Sequence, residues 1–187
     1  GNLDLATNYS ATIDVTGGTT ATAANVLTIL QDTSGSVNAS GLTDISGLAA
    51  DLKLVQAEAS FSHNSPANYT STIADTTAGV ADINSIAGNT SGVVTATATS
   101  NDIAALEDLT TASTDAITVT VTTTDLDAAK LVALDAKTSV AITATAVENL
   151  SGTASEVAAL IASSGVTLDS DFTASITDED GNSYADA

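Results

Sequence analysis

Oxygen-bearing side chains cluster near the C-terminal end of the sequence, within Asp178-Glu-Asp-Gly-Asn-Ser-Tyr-Ala-Asp186. The first, third and fifth residues of this run correspond to EF-hand loop positions where oxygen ligands converge on calcium. Its glycine stands at the fourth position instead of the sixth, and the sequence ends before a glutamate could occupy the twelfth. We predict a candidate Ca²⁺ site here, with a solvated acidic turn as the alternative. Its proposed ligands are Asp178, Asp180, Asn182 and Asp186.

Threonines recur at every second position in several segments. Extended strands would place such threonines on one face, with rows about 4.8 Å apart across strands and neighbours about 6.7 Å apart along a strand. Flat arrays of this kind are similar to the water-ordering faces of ice-binding solenoids. The alternative is that threonine simply suits an exposed strand, with or without O-glycosylation. The predicted binding face comprises Thr70, Thr72, Thr95, Thr97, Thr99, Thr118, Thr120, Thr122, Thr143 and Thr145.

Residues suited to catalysis are sparse. His63 is the only histidine and the sequence has no cysteine, so His63 has no His or Cys partner for a nucleophilic or zinc arrangement. We interpret His63 as a surface-loop residue. Paired carboxylates could serve glycoside hydrolysis, but such clefts are usually lined by aromatic residues, which make up 3% of this sequence. We therefore expect no enzymatic activity.

The threonines belong to a repeated strand pattern. Three segments alternate small or β-branched apolar residues with polar or small ones: Val94 to Thr99, Ile117 to Thr122 and Val140 to Thr145. This period of two is typical of half-buried strands. The segments start about 23 residues apart, a spacing typical of repeat proteins whose units stack on one another.

Short amphipathic helix patterns follow the strands. Thr153-Ala-Ser-Glu156 matches a capping box, and we predict that Ser100 and Thr124 begin two earlier helices. Acidic residues near other predicted helix starts, such as Asp102 and Asp127, are explained by the free amides and the helix dipole. Calcium bridging between neighbouring repeats is the alternative for these acids.

Strand–helix–strand steps with short connections predict an α/β fold. More specifically, we predict an open repeat solenoid, with parallel strands that carry a Thr-rich exposed face and are backed by short helices. The whole chain, residues 1–187, would form one such domain. An inserted loop at about 60–68 holds the only proline, and residues 177–187 form an acidic C-terminal segment.

Charge restricts the classes of partner. The sequence has 3 basic and 23 acidic residues, for a net charge of −20. We expect no nucleic-acid partner, because no basic patch could neutralise phosphates, and no attraction to anionic membranes. No apolar run is long enough for membrane insertion. Calcium is the natural counterion for so many carboxylates, and the composition favours a bacterial, extracellular or cell-surface protein.

Three phrases, Ile73 to Ile83, Gly92 to Thr97 and Asn101 to Leu106, resemble the Thr/Ala/Asp-rich repeats of very large secreted bacterial surface or adhesin-like proteins. Such proteins occur in marine cyanobacteria and proteobacteria, and they often carry hemolysin-type calcium repeats. The resemblance covers about Tyr69 to Ile176, and it implies an extracellular role without enzymatic activity. The Gly-Gly-x-Gly-x-Asp motif of the calcium repeats is absent, so their calcium mechanism does not carry over.

Together these observations predict a structural extracellular or cell-surface repeat protein, acting as a scaffold, a stalk or a self-assembling filament or matrix subunit. Because stacked repeats end in open sheet edges, we expect a homo-oligomer or head-to-tail assembly. The alternative is a binding module, such as an adhesin, a host-attachment fibre or an ice-binding Thr face, with a glycan or another surface as its ligand.

Overall fold

The computed structural model describes residues 8–13, 19–63 and 67–177, together with the backbone of residues 183–185. The six helices of this part of the chain are α1 Ala23–Asp32, α2 Ala49–Ala57, α3 Val80–Ala87, α4 Ile103–Glu107, α5 Ala128–Asp135 and α6 Ala154–Ala162. Its strands are β1 Ala11–Thr12, β2 Thr20–Thr22, β3 Val37–Asn38, β4 Asp44–Gly47, β5 Phe61–Ser62, β6 Thr70–Ile73, β7 Val94–Ser100, β8 Ala116–Val121, β9 Asp125–Asp127, β10 Ile142–Ala144, β11 Asn149–Thr153, β12 Val166–Leu168, β13 Thr173–Thr177 and β14 Ser183–Ala185.

The α/β class is confirmed, and the strand pairing is parallel except where β14 runs antiparallel to β13. Residues paired in parallel lie about 23 to 26 positions apart along the chain, as in Thr120 with Thr143 and Thr20 with Asp44. The connections between these parallel strands are therefore long enough to contain helices.

The chain divides into two compact units. Unit 1 contains residues 1–76 and 82–96, and unit 2 contains residues 77–81 and 97–187. In unit 1 one sheet has the strand order β7-β6-β4-β2, and a smaller sheet has the order β1-β3-β5. Buried side chains of the helices, such as Leu52 and Ile83, form the core together with buried strand residues such as Ile45 and Val94.

Unit 2 also contains two sheets. One sheet contains the strands β12, β10 and β8 in that order, and a second has the order β14-β13-β11-β9. In β8 the buried residues are Ile117, Val119 and Val121, alternating with more exposed neighbours. The predicted period of two is thus present, and its apolar members are in the core.

Local capping explains where several helices begin. Thr153 and Glu156 form the predicted capping box, in which the Thr153 N–H donates to Glu156 Oε2 at 2.8 Å. That bond, followed by the side-chain bond with Thr153, lowers the pKa of the Glu156 carboxyl. The predicted caps Ser100 and Thr124 are wrong, since Asp102 and Asp127 accept from backbone N–H groups at these helix starts.

The error at Thr124 has a structural cause. Residues 125–127 form β9, which pairs with β11, and the helix begins only after that strand. A three-residue strand carries too little periodicity to be separated from a helix start by sequence. Residues 125–127 form a strand because they pair with β11, which is distant in sequence.

A recurrent turn after the helices, which we call the hydroxyl turn, was not predicted. After α3, the Thr90 hydroxyl donates to the Tyr69 carbonyl at 2.5 Å and accepts from the Gly92 N–H at 3.1 Å. After α5, the Thr138 hydroxyl donates to the Ile117 carbonyl at 2.8 Å. Equivalent turns occur at Thr33 and Ser163, where the hydroxyl accepts from the N–H of the glycine two residues later.

The hydroxyl turn also explains why one strand begins later in the sequence than predicted. Val140 was predicted to start a strand, but its N–H donates to the Thr138 hydroxyl at 3.2 Å. The N–H is therefore unavailable to a sheet, and β10 begins at Ile142 instead.

Candidate binding surfaces

The predicted Thr residues of unit 1 lie on the more exposed face of its larger sheet. Thr72 pairs with Thr95 on one side and with Ser46 on the other, so these side chains form one row across three strands. Thr22 extends this row, because it pairs with Ser46. Thr70 pairs with Asp44 and donates to its carboxylate at 2.7 Å, so the second row is not purely hydroxyl-bearing.

In unit 2 the corresponding row is formed by Thr120, Thr143 and Thr167, which pair directly across β8, β10 and β12. Thr143 and Thr120 are half-buried, and Thr167 is exposed. The remaining predicted residues of this face have the following exposure: Thr97 is half-buried, while Thr99, Thr118, Thr122 and Thr145 are exposed.

These rows offer hydroxyl groups and methyl groups at regular spacing, about 4.8 Å from strand to strand. A row of that kind can hold ordered water or the hydroxyl-rich face of a ligand through many weak contacts. Sequence analysis missed Thr22, Ser46 and Thr167. The alternation in Thr20-Ala-Thr22 was a usable signal, since it matches Thr95-Ala-Thr97.

The predicted calcium ligands Asp178, Asp180, Asn182 and Asp186 lie outside the described residues. Within the described ranges, no group of three or more His, Asp or Glu side chains is arranged to hold a metal ion. Asp125 accepts from Asn149 Nδ2 at 2.9 Å and from the Thr124 hydroxyl at 2.8 Å.

A small cavity in unit 1 surrounds the histidine. His63 is half-buried, and its Nε2 lies 2.9 Å from the Leu42 carbonyl oxygen. Its ring centroid lies 5.0 Å from that of Tyr69 and 6.3 Å from that of Phe61. The cavity has a volume of about 200 Å³. It is lined by Gln56, Phe61, His63, Ala67, Tyr69 and Asn89.

Tyr69 is 1% exposed and its hydroxyl accepts from Gln56 Nε2 at 3.0 Å. Burial raises the pKa of the Tyr69 phenol, and the hydrogen bond from Gln56 partly offsets this rise. The phenol therefore stays neutral at neutral pH. His63 was interpreted as a surface-loop residue, but it is half-buried. The aromatic residues Phe61, within the predicted loop, and Tyr69, just after it, were the signal for a packed cluster.

Comparison with protein-family models, with curated proteins and with solved structures found no significant match to this chain. Among the described residues, no helix is both long enough and apolar enough to cross a membrane.

Proposed function

We propose that the chain is a segment of an open α/β solenoid that serves as a structural, non-enzymatic component of a bacterial cell surface or extracellular matrix. The observation that carries this proposal is the parallel pairing of each strand with its counterpart one repeat away. Such repeats bury their apolar sides only by stacking, so the stack can be extended by adding further repeats.

The last repeat of unit 2 supports extension. Val166 and Leu168 in β12 are half-exposed, whereas their partners Ile142 and Ala144 in β10 are fully buried. Among the described strands, β12 has a partner only on the β10 side. An edge with free backbone groups and half-covered apolar side chains favours pairing with a further strand.

The negative charge of the chain is the reason for the proposed role of calcium in assembly. With a net charge of −20, two copies of the chain repel one another at low ionic strength. Divalent cations bound by carboxylates would reduce that repulsion, and Asp178, Asp180, Asn182 and Asp186 are the proposed ligands. A head-to-tail contact between copies would be heterologous and would produce an open filament.

We expect long, uniform filaments when the purified chain is examined by negative-stain electron microscopy in millimolar calcium, and their loss in a chelated sample. Val166→Lys places a charge on the half-exposed apolar side of β12 and should prevent assembly. Thr167→Lys, on the exposed face of the same strand, is the matched control and should assemble normally. A chain that stays monomeric at high concentration, with and without calcium, would contradict the proposal.

The Thr rows support a second candidate, a water-ordering or ligand-binding face. If the face binds ice, the chain should show thermal hysteresis, and Thr120→Tyr should remove it because the bulky ring interrupts the row of Thr143 and Thr167. Ala158→Tyr, at an exposed position of α6, should leave the hysteresis unchanged. Absence of hysteresis in the parent chain would exclude the ice-binding form of this candidate.

A further inference from the structure

The cavity beside His63 contains unsatisfied hydrogen-bond acceptors. Gln56 Nε2 donates to the Tyr69 hydroxyl at 3.0 Å and to the Ile86 carbonyl at 3.3 Å, which fixes the orientation of the amide. In the described part of the chain, Gln56 Oε1 is buried and has no hydrogen-bond partner. A buried acceptor without a partner costs about 1–3 kcal/mol.

His63 provides the second acceptor. Because the Leu42 carbonyl can only accept, the hydrogen of the neutral imidazole lies on Nε2, and Nδ1 carries a lone pair. Nδ1 is buried and also has no partner among the described residues. Asn89, on the same cavity, uses its Nδ2 to donate to the Ser85 carbonyl at 2.7 Å, which leaves its amide oxygen as an acceptor.

The apolar part of the lining is aromatic. Phe61 and Tyr69 meet edge to face, with ring centroids 6.3 Å apart, and Ala67 completes the wall. Aromatic faces attract cations through their quadrupole. The negative charge of the whole chain adds a favourable potential for a cation that approaches the site.

These observations identify the complementary ligand. Gln56 directs its amide nitrogen to two protein groups, and Gln56 Oε1 and His63 Nδ1 are buried acceptors without a partner among the described residues. A primary ammonium group has three N–H donors and no acceptor. We propose that this cavity binds a small organic cation, a primary ammonium on a short alkyl chain, with the N–H groups directed to Gln56 and His63 and the alkyl chain packed against Phe61.

The size of the cavity suits such a ligand. At about 30 Å³ per water molecule, 200 Å³ corresponds to about seven waters. Butylammonium, with five non-hydrogen atoms, fits this space. For a ligand of this size we expect half-saturation near about 1 mM.

The test uses the full chain, in which the imidazole Hε1 proton gives one NMR signal because His63 is the only histidine. Butylammonium chloride should shift this signal saturably. Sodium chloride at equal ionic strength should not, and neither should 1-butanol, which has the same length but no charge. An equal response to sodium chloride, or stronger binding of 1-butanol or glucose than of butylammonium, would overturn the proposal without any variant.

A pair of variants then tests the residue assignment by calorimetry. His63→Phe keeps an aromatic ring but removes the Nδ1 acceptor, and it should weaken butylammonium binding by about tenfold. Tyr9→Phe changes a tyrosine that does not line the cavity, and its affinity should equal that of the parent chain. Unchanged affinity in a folded His63→Phe chain, checked by circular dichroism, would place the ligand elsewhere.

Discussion

Replacing Gly92 with alanine is expected to lower the free energy of unfolding by about 3 kcal/mol, because the turn has no room for a Cβ atom. A Cβ at this position would lie 2.9 Å from the Asn68 carbonyl oxygen and closer still to the carbonyl group of Tyr69. These are backbone atoms directly before β6, and the Tyr69 carbonyl accepts from the Thr90 hydroxyl, so they cannot move away without disturbing the hydroxyl turn and the adjacent pairing of β6 with β7. Urea denaturation followed by far-UV circular dichroism measures the loss.

Gly88→Ala is the matched control for this prediction. Its Cβ would meet the Asn84 carbonyl oxygen at 3.3 Å, and Gly88 is exposed after α3. A small local adjustment accommodates that contact, so the change in stability should stay within about 0.5 kcal/mol. Equal stabilities for Gly92→Ala and Gly88→Ala would contradict the close packing of the hydroxyl turn against Asn68 and Tyr69.

The Thr138→Val variant should lose about 2 kcal/mol of stability although valine has nearly the same shape as threonine. Thr138 is 7% exposed, and its hydroxyl accepts from the Ile117 N–H at 3.0 Å while donating to the Ile117 carbonyl. Removing the hydroxyl leaves the Ile117 N–H, in a fully buried residue, without its acceptor, and the half-buried Val140 N–H also loses its hydrogen bond. Thermal unfolding and hydrogen exchange at Ile117 are the measurements.

Thr118→Val serves as the control, since Thr118 follows Ile117 in β8 and is exposed. Its hydroxyl faces water, so the substitution should change stability by less than about 0.5 kcal/mol. Rapid exchange of the Ile117 amide in Thr138→Val, with no such change in Thr118→Val, would place the effect at the hydroxyl turn. Equal stabilities for the two variants would contradict the assigned hydrogen bonds.

Gly92 and Thr138 both belong to hydroxyl turns. Many of the described strands contain only two to four residues, so few ladder hydrogen bonds connect paired strands. A threonine after a helix adds a side-chain bond to a segment 21 residues earlier in the chain, as Thr90 does to Tyr69 and Thr138 does to Ile117. The glycine in Thr90-Ser-Gly92 permits this approach because it has no Cβ.

Much of the fold was visible in local sequence. The alternation in Val94 to Thr99 predicted a strand, and its Val94, Ala96 and Ala98 are buried. Helices were predictable where a cap and an apolar stripe coincide, as at Thr153-Ala-Ser-Glu156. These features depend on a few consecutive residues, so the local sequence is sufficient to predict them.

The candidate surfaces were predicted less completely. The Thr faces follow from the period of two, but the composition of each row follows from pairing between positions about 23 to 26 residues apart. Thr72 therefore lies beside Thr95, whereas Thr70 lies beside Asp44. No periodicity within one segment specifies which residue of another repeat will be its neighbour.

By itself, the sequence determined the α/β class, the strong negative charge and the side of each long strand that would remain exposed, because these depend on composition and local alternation. Only the tertiary structure decided the short strands such as β9, the hydroxyl turns and the cavity beside His63. Gln56, His63 and Asn89 come from three separate segments. They meet because the core brings α2, β5 and the end of α3 together, and contacts of that kind are set by packing rather than by any local pattern.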